Sequence, residues 1–81
     1  MKREQIGMEV QEVLRDLLAK KDLVIRDNLT AVEVQGWDSF AHVAIMDAIE
    51  KQFKIKFNLS ELDQLANVGD IISTIERKLG Q

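Results

Sequence analysis

Asp38, Ser39 and His42 stand within five residues of one another in the stretch GWDSFAHVAIMDAIEKQF, residues 36–53. An acid, a hydroxyl and an imidazole suggest a hydrolytic triad. A triad needs a base aimed at the nucleophile and an acid that orients the base from its far side. The apolar periodicity after Ser39 makes this stretch a helix, which turns His42 toward the apolar stripe and leaves Asp38 ahead of the first turn. No G-x-S-x-G elbow and no glycine-rich donor loop accompany the serine, so hydrolysis is not expected. Two other roles remain open for Ser39. It or Asp38 can cap the helix, since both residue types are favoured there. It can also be a point of attachment, because a helix start has unpaired N–H groups and a positive dipole end that tolerates an anionic phosphodiester. Capping alone leaves Trp37 and Phe40 unexplained, and Phe40 falls on the side opposite the apolar stripe. His42 reads either as a partly buried residue near the helix start or as a contact to an attached group.

The rest of the composition narrows the chemistry. The chain has no cysteine, so a disulfide, a thiolate nucleophile and a cysteine zinc site are excluded. One histidine excludes sites that need two imidazoles, and no metal site is expected. The net charge is −3, and the lysines at 20–21 and at 51, 54 and 56 are surrounded by acids. Nucleic-acid binding, which calls for a basic stripe, is not expected. No apolar run approaches the ~20 residues of a membrane span, and the N-terminus lacks the apolar core of a signal peptide. A cytoplasmic location follows as an expectation. With 81 residues the chain reads as one domain, 1–81, with a thin core and no room for a deep enclosed site.

Four helical segments must position the serine. Ile6, Val10, Val13, Leu14, Leu17 and Leu18 recur at helical spacing and predict a first helix with one apolar face; Gly7 weakens its start. Residues 20–38 show no sustained period. Leu23, Ile25, Leu29, Val32 and Val34 read as anchors that lay a long loop over the bundle, with a β-hairpin as the rival and a short helical turn allowed. The second helix, from about Ser39 to Phe53, gathers Ile45, Met46, Ile49 and Phe53 on one side, with Val43 at the margin and His42 inside the arc. Ile55 and Phe57 turn inward from an extended connection. A capping box at Ser60–Asp63 opens a short helix with Leu62 and Leu65. Asn67 caps a last helix carrying Val68, Ile71, Ile72, Ile75 and Leu79, with Arg77 and Lys78 at its negative end and Gly80 at the residue beyond. The expected fold is all-α, a small four-helix bundle of three long helices and one short one, with a long loop between the first two.

With this helix order and length, G-W-D-S-F resembles the D-S-[L/M/F] attachment motif of the acyl and peptidyl carrier proteins. The resemblance covers nearly the whole chain, through F-K-I-K-F and the N-V-G-D-I that opens the last helix. It implies a four-helix bundle with no catalysis of its own. A phosphopantetheinyl transferase moves phosphopantetheine from coenzyme A to the serine matching Ser39. The arm's terminal thiol then carries acyl or aminoacyl thioesters, which accounts for a carrier without cysteine. The resemblance further implies that Asp38 assists modification, that Phe40 is an apolar recognition position, and that Val43, Met46, Ile49, Ile71 and Ile72 are candidate walls for a sequestered cargo. His42 joins Ser39 and Asp38 as an expected contact to the arm, and Trp37, Phe40, Val43, Asp47 and Glu50 as expected partner contacts. The implied partners are the transferase, an acyl- or aminoacyl-activating ligase, and a downstream acyltransferase or condensing enzyme. A monomer is expected.

The second helix departs from fatty-acid carriers, whose matching helix is strongly acidic. Ala41 and Ala44 stand at positions often acidic there, and Lys51 and Lys54 intervene. Electrostatics at such a surface govern on-rate and partner choice more than affinity. The tryptophan before D-S looks more like stand-alone carriers served by dedicated adenylating ligases. The alternative is a carrier-fold interaction module that is never modified.

Overall fold

The computed structural model describes residues 1–80. The elements in chain order are α1 (Arg3–Leu18), a 3-10 turn (Ala31–Glu33), α2 (Ser39–Phe53), α3 (Leu59–Asp63) and α4 (Val68–Leu79). α1 packs against both α2 and α4. The result is the expected all-helical bundle of three long helices and one short one. No strand occurs among the described residues, which removes the hairpin alternative. No described helix is long and apolar enough to cross a membrane.

The core forms where the apolar stripes meet. Ile6, Val10 and Leu14 of α1, Ile45 and Ile49 of α2, and Val68 and Ile75 of α4 are fully buried. Each such side chain contributes about 1.5–3 kcal/mol on leaving water. Leu62 and Leu65 pack against this core from α3 and its C-terminal end, as do Ile55 and Leu79. Leu17 does not follow the stripe: it lies mid-stripe by angle but is 44% exposed in the last turn of α1, where Leu18 packs against the core instead.

The start of α1 is fastened by Arg3. Its guanidinium donates to Ser73 Oγ at 3.0 Å, Glu76 Oε1 at 3.2 Å and Asp27 Oδ2 at 3.3 Å, joining α1, the loop and α4. α1 ends at Ala19 in a left-handed conformation, and α2 ends the same way at Lys54.

The loop of residues 20–38 is laid over the bundle by hydrogen bonds as well as by apolar anchors. Arg15 Nε donates to the Leu23 carbonyl at 2.7 Å, and Gln11 Oε1 accepts from Ile25 N–H at 3.0 Å. Leu29 and Val34 are buried, with Leu23 and Ile25 partly so. Val32 is 94% exposed, contrary to its expected role as an anchor. The 3-10 turn turns Ala31 to the core and Val32 to solvent. Thr30 and Glu33 close that turn as a capping box. Hydrogen bonds from Thr30, its backbone N–H first, hold the Glu33 carboxyl below the ordinary range, with Arg26 adding to the effect.

The same loop completes the start of α4. The first N–H groups of a helix lack internal partners. Here Val68 N–H donates to the Leu29 carbonyl at 2.9 Å and Gly69 N–H to the Asp27 carbonyl at 2.8 Å. Asn67 Oδ1 takes Asp70 N–H at 2.9 Å, the cap expected from sequence.

Two boundary assignments are corrected. α3 is capped by Asn58, not opened at Ser60. Asn58 Oδ1 accepts from Glu61 N–H at 2.8 Å and Glu61 Oε1 accepts from Asn58 N–H at 2.9 Å. Asn at the cap and Glu three residues on satisfy both orphan groups, which Ser60 with Asp63 does not. Gly80 adopts φ −82, so α4 closes without a left-handed glycine.

Candidate functional site

The approach to α2 is a turn that needs glycine. Gly36 has φ +92 and nothing within 4 Å of where a Cβ would lie, so backbone conformation and not space favours glycine there. Trp37 N–H donates to the Val34 carbonyl at 3.1 Å and closes the turn. The chain then enters α2 at Asp38. Asp38 Oδ1 accepts from Ala41 N–H at 2.8 Å and its carbonyl takes His42 N–H at 2.8 Å. Asp38 is therefore the cap, and the Ser39 hydroxyl is released from that duty. Ser39 is exposed as the first helical residue, and Phe40 beside it is 90% exposed.

Asp38 and His42 do not assemble with Ser39 as a triad. His42 Nδ1 accepts from the Trp37 indole N–H at 3.0 Å, the nitrogen an orienting carboxylate would need. The two rings stack with centroids 6.1 Å apart and 24° between planes. Trp37 is only 8% exposed and belongs to the core, so it offers little surface to another protein. The pairing was hidden in the sequence because it depends on the turn at Gly36 bringing the indole back over the first turn of α2.

The remaining candidates divide by exposure. Val43 is 70% exposed, on the outer margin of α2. Asp47 is exposed and pairs with Lys51 at 3.0 Å, which offsets its charge locally. Glu50 is partly buried and works inside the fold: its Oε2 accepts from Phe57 N–H at 2.8 Å, holding the connection that leaves α2. That bond limits Glu50 as a partner contact.

Beside α2, His42, Val43, Met46, Asp47, Glu50 and Leu62 line an open groove of about 370 Å³ against α3. Val43 and Met46 are expected walls. Leu62 was missed, and its only signal was an apolar residue on a short helix after α2. Ile49 and Ile71 are core residues that do not reach this groove, and Ile72 lines a different cleft, with Arg3, Gly7 and Ile25. α3 is tethered to α4 through Glu61, which meets Lys78 Nζ at 2.8 Å and Arg77 at 3.4 Å. The Lys78 hydrogen bond is the main reason the Glu61 carboxyl is held below the ordinary range, followed by the Asn58 N–H.

These residues fit a phosphopantetheine group. Ser39 is exposed, a phosphodiester there would stand at the helix end whose dipole favours an anion, and the groove is lined by residues that follow it on α2. His42 and Val43 follow Ser39 by three and four residues, the spacing of neighbours on one helix face.

Comparison with known proteins agrees. A family model described as "Phosphopantetheine attachment site" matches residues 8–75. An acyl carrier protein of Thermotoga maritima is 30% identical over 78 residues, spanning 96% of each chain. Another, from an Exiguobacterium species, is 32% identical over 79 residues, spanning 98% of this chain and all of the relative. The solution structure of a holo acyl carrier protein from Geobacter metallireducens superposes with a TM-score of 0.87 at 29% identity, over 93% of this chain and 86% of that one. Phosphopantetheine is accordingly the prosthetic group of this protein, and proteins of this kind work with modifying and biosynthetic enzymes. From its helices to its family match, the chain belongs to the phosphopantetheine-binding acyl carrier proteins.

Proposed function

We propose that Ser39 bears the phosphopantetheine and that the protein presents acyl or aminoacyl thioesters to partner enzymes without catalysing a reaction itself. The observation that carries this reading is the exposed Ser39 hydroxyl at the start of α2, freed from capping by Asp38. When bound, the group supplies a thiol on a long arm, which the chain lacks. In the modification step the Ser39 oxygen gives up its proton to a base of the transferase and forms a bond to the phosphorus that bears the pantetheine, the pyrophosphate bond of coenzyme A breaks, and adenosine 3′,5′-bisphosphate leaves.

Asp38 stabilises the turn that displays Ser39, and its second carboxylate oxygen is available to the transferase or its metal. Phe40 and Val43 form the apolar part of the docking surface, where exposed anchors carry most binding energy. Asp47 is matched by Lys51 and Glu50 is turned inward. Docking along α2 therefore relies more on apolar contact than on an acidic stripe, in keeping with a dedicated ligase and a downstream acyltransferase or condensing enzyme as partners.

The test is intact mass after incubation with coenzyme A, Mg²⁺ and a broad-specificity transferase. Wild type is expected to gain one phosphopantetheine and Ser39→Ala none. An unchanged wild-type mass refutes the reading, as does an equal gain in the variant.

A further inference from the structure

The Trp37 indole N–H can only donate a hydrogen bond. Because it meets His42 Nδ1 at 3.0 Å, that nitrogen must present its lone pair. A neutral imidazole has a single N–H, so the proton resides on Nε2. The donor is itself buried and stacked on the imidazole, which fixes the ring's orientation together with its tautomer. Among the described residues no buried side-chain nitrogen or oxygen lacks a partner. Among the described residues His42 bonds only through Nδ1, so Nε2–H reaches solvent. His42 also follows Ser39 by one turn, where Cβ atoms stand about 5–6 Å apart. Helical side chains lean toward the N-terminus, the direction in which Ser39 lies.

We propose that His42, held as its Nε2–H tautomer by Trp37, donates a hydrogen bond to a phosphodiester oxygen of the phosphopantetheine on Ser39. Trp37 is a positioning residue and never touches the arm. The pair holds the root of the arm against α2, on the side where Val43 and Met46 line the groove. This inference rests on Ser39 being the attachment point.

The experiment is ¹⁵N NMR of the His42 ring at about pH 8. Spectra are recorded on the unmodified protein and on the same sample after conversion with coenzyme A and a transferase, with intact mass as the measure of conversion. The expected apo pattern is a pyridine-type Nδ1 and a pyrrole-type Nε2. On conversion the Nε2–H signal should shift and exchange more slowly with water. Trp37→Phe, which keeps an aromatic ring without the N–H, should populate both tautomers and lose most of that shift, while its amide spectrum reports whether the fold persists. If that variant does not fold, ³¹P NMR of the modified protein serves instead: His42→Gln keeps a donor near the Nε2 position and should retain the wild-type phosphodiester shift, whereas His42→Ala should not. A proton on Nδ1 in the apo protein overturns the proposal. So does a fully converted sample with an unmoved Nε2 signal, which leaves the attachment reading intact. Absence of any mass gain defeats the attachment reading and this proposal with it.

Discussion

Gly7 and Gly69 both lie within helices, and helix propensity alone favours alanine over glycine by about 1 kcal/mol at an internal position. Packing separates the two. A Cβ on Gly7 meets only Ile72 Cδ1, at 3.7 Å, an ordinary contact. Gly7→Ala should therefore stabilise by about 0.5–1 kcal/mol. A Cβ on Gly69 would stand 2.9 Å from the Asp27 carbonyl oxygen, 3.0 Å from its Cβ and 3.2 Å from its Cα. The same carbonyl accepts the Gly69 N–H at 2.8 Å, so the loop cannot recede without losing the bond. The bond is worth about 0.5–1.5 kcal/mol and overpacking costs about 1–3 kcal/mol. Less the propensity gain, Gly69→Ala should destabilise by about 1–3 kcal/mol. For a domain of this size 1 kcal/mol moves Tm by about 4–8 °C, so the loss is on the order of 10 °C, against a rise of a few degrees for Gly7→Ala. Thermal unfolding followed by far-UV circular dichroism reads both. A Gly69→Ala protein as stable as wild type would refute the claim that close approach of the loop backbone fixes the start of α4.

Three further outcomes follow from the same geometry. Phe40→Ala should change stability by no more than about 0.5 kcal/mol, because the ring is exposed, yet lower the transferase's kcat/KM by roughly tenfold if the ring is a docking anchor; thermal melts and modification kinetics check the two parts. The Glu61 carboxyl is held below its ordinary value of 4.5, so its contribution to stability is complete above that value and is lost as pH falls through the lower folded value. The stability of Glu61→Gln, from denaturant titrations at several pH values, should therefore vary less with pH in that window, and a pH dependence equal to that of wild type would contradict the tether between α3 and α4. Hydrogen exchange should find residues 20–38 the fastest-exchanging stretch outside the termini, with the hydrogen-bonded amides of Ile25 and Leu29 as slower points within it; strong protection throughout would contradict this.

The helices were legible because their stripes are regular and their caps local. Ile45, Met46, Ile49 and Phe53 of α2, and Asn67 ahead of α4, follow from spacing and residue type alone. Errors arose where tertiary context decides. Leu17 has the right angle but is exposed in the last turn of α1, where Leu18 takes the inner place, and Val32 is apolar but sits on the outer side of a one-turn helix. Asn58 with Glu61 and Ser60 with Asp63 have the same spacing, and only the backbone shows which of the two closes the box. At the candidate site, the placement of Ser39 at a helix start and the exposure of Phe40 could be read from the wheel. The Trp37–His42 bond, the inward turn of Glu50 and the Leu62 wall could not, since each joins residues through a turn or between helices.

The central claim concerns one serine among three. Ser60 is exposed on the five-residue α3, and Ser73 in α4 accepts a hydrogen bond from Arg3, while Ser39 alone opens a long helix beside an exposed aromatic ring. Fragment mass spectrometry of the protein after modification with coenzyme A and a transferase locates the added group directly. Phosphopantetheine on Ser39 only is the predicted result. Its appearance on Ser60 or Ser73, or no addition at all, would contradict the account.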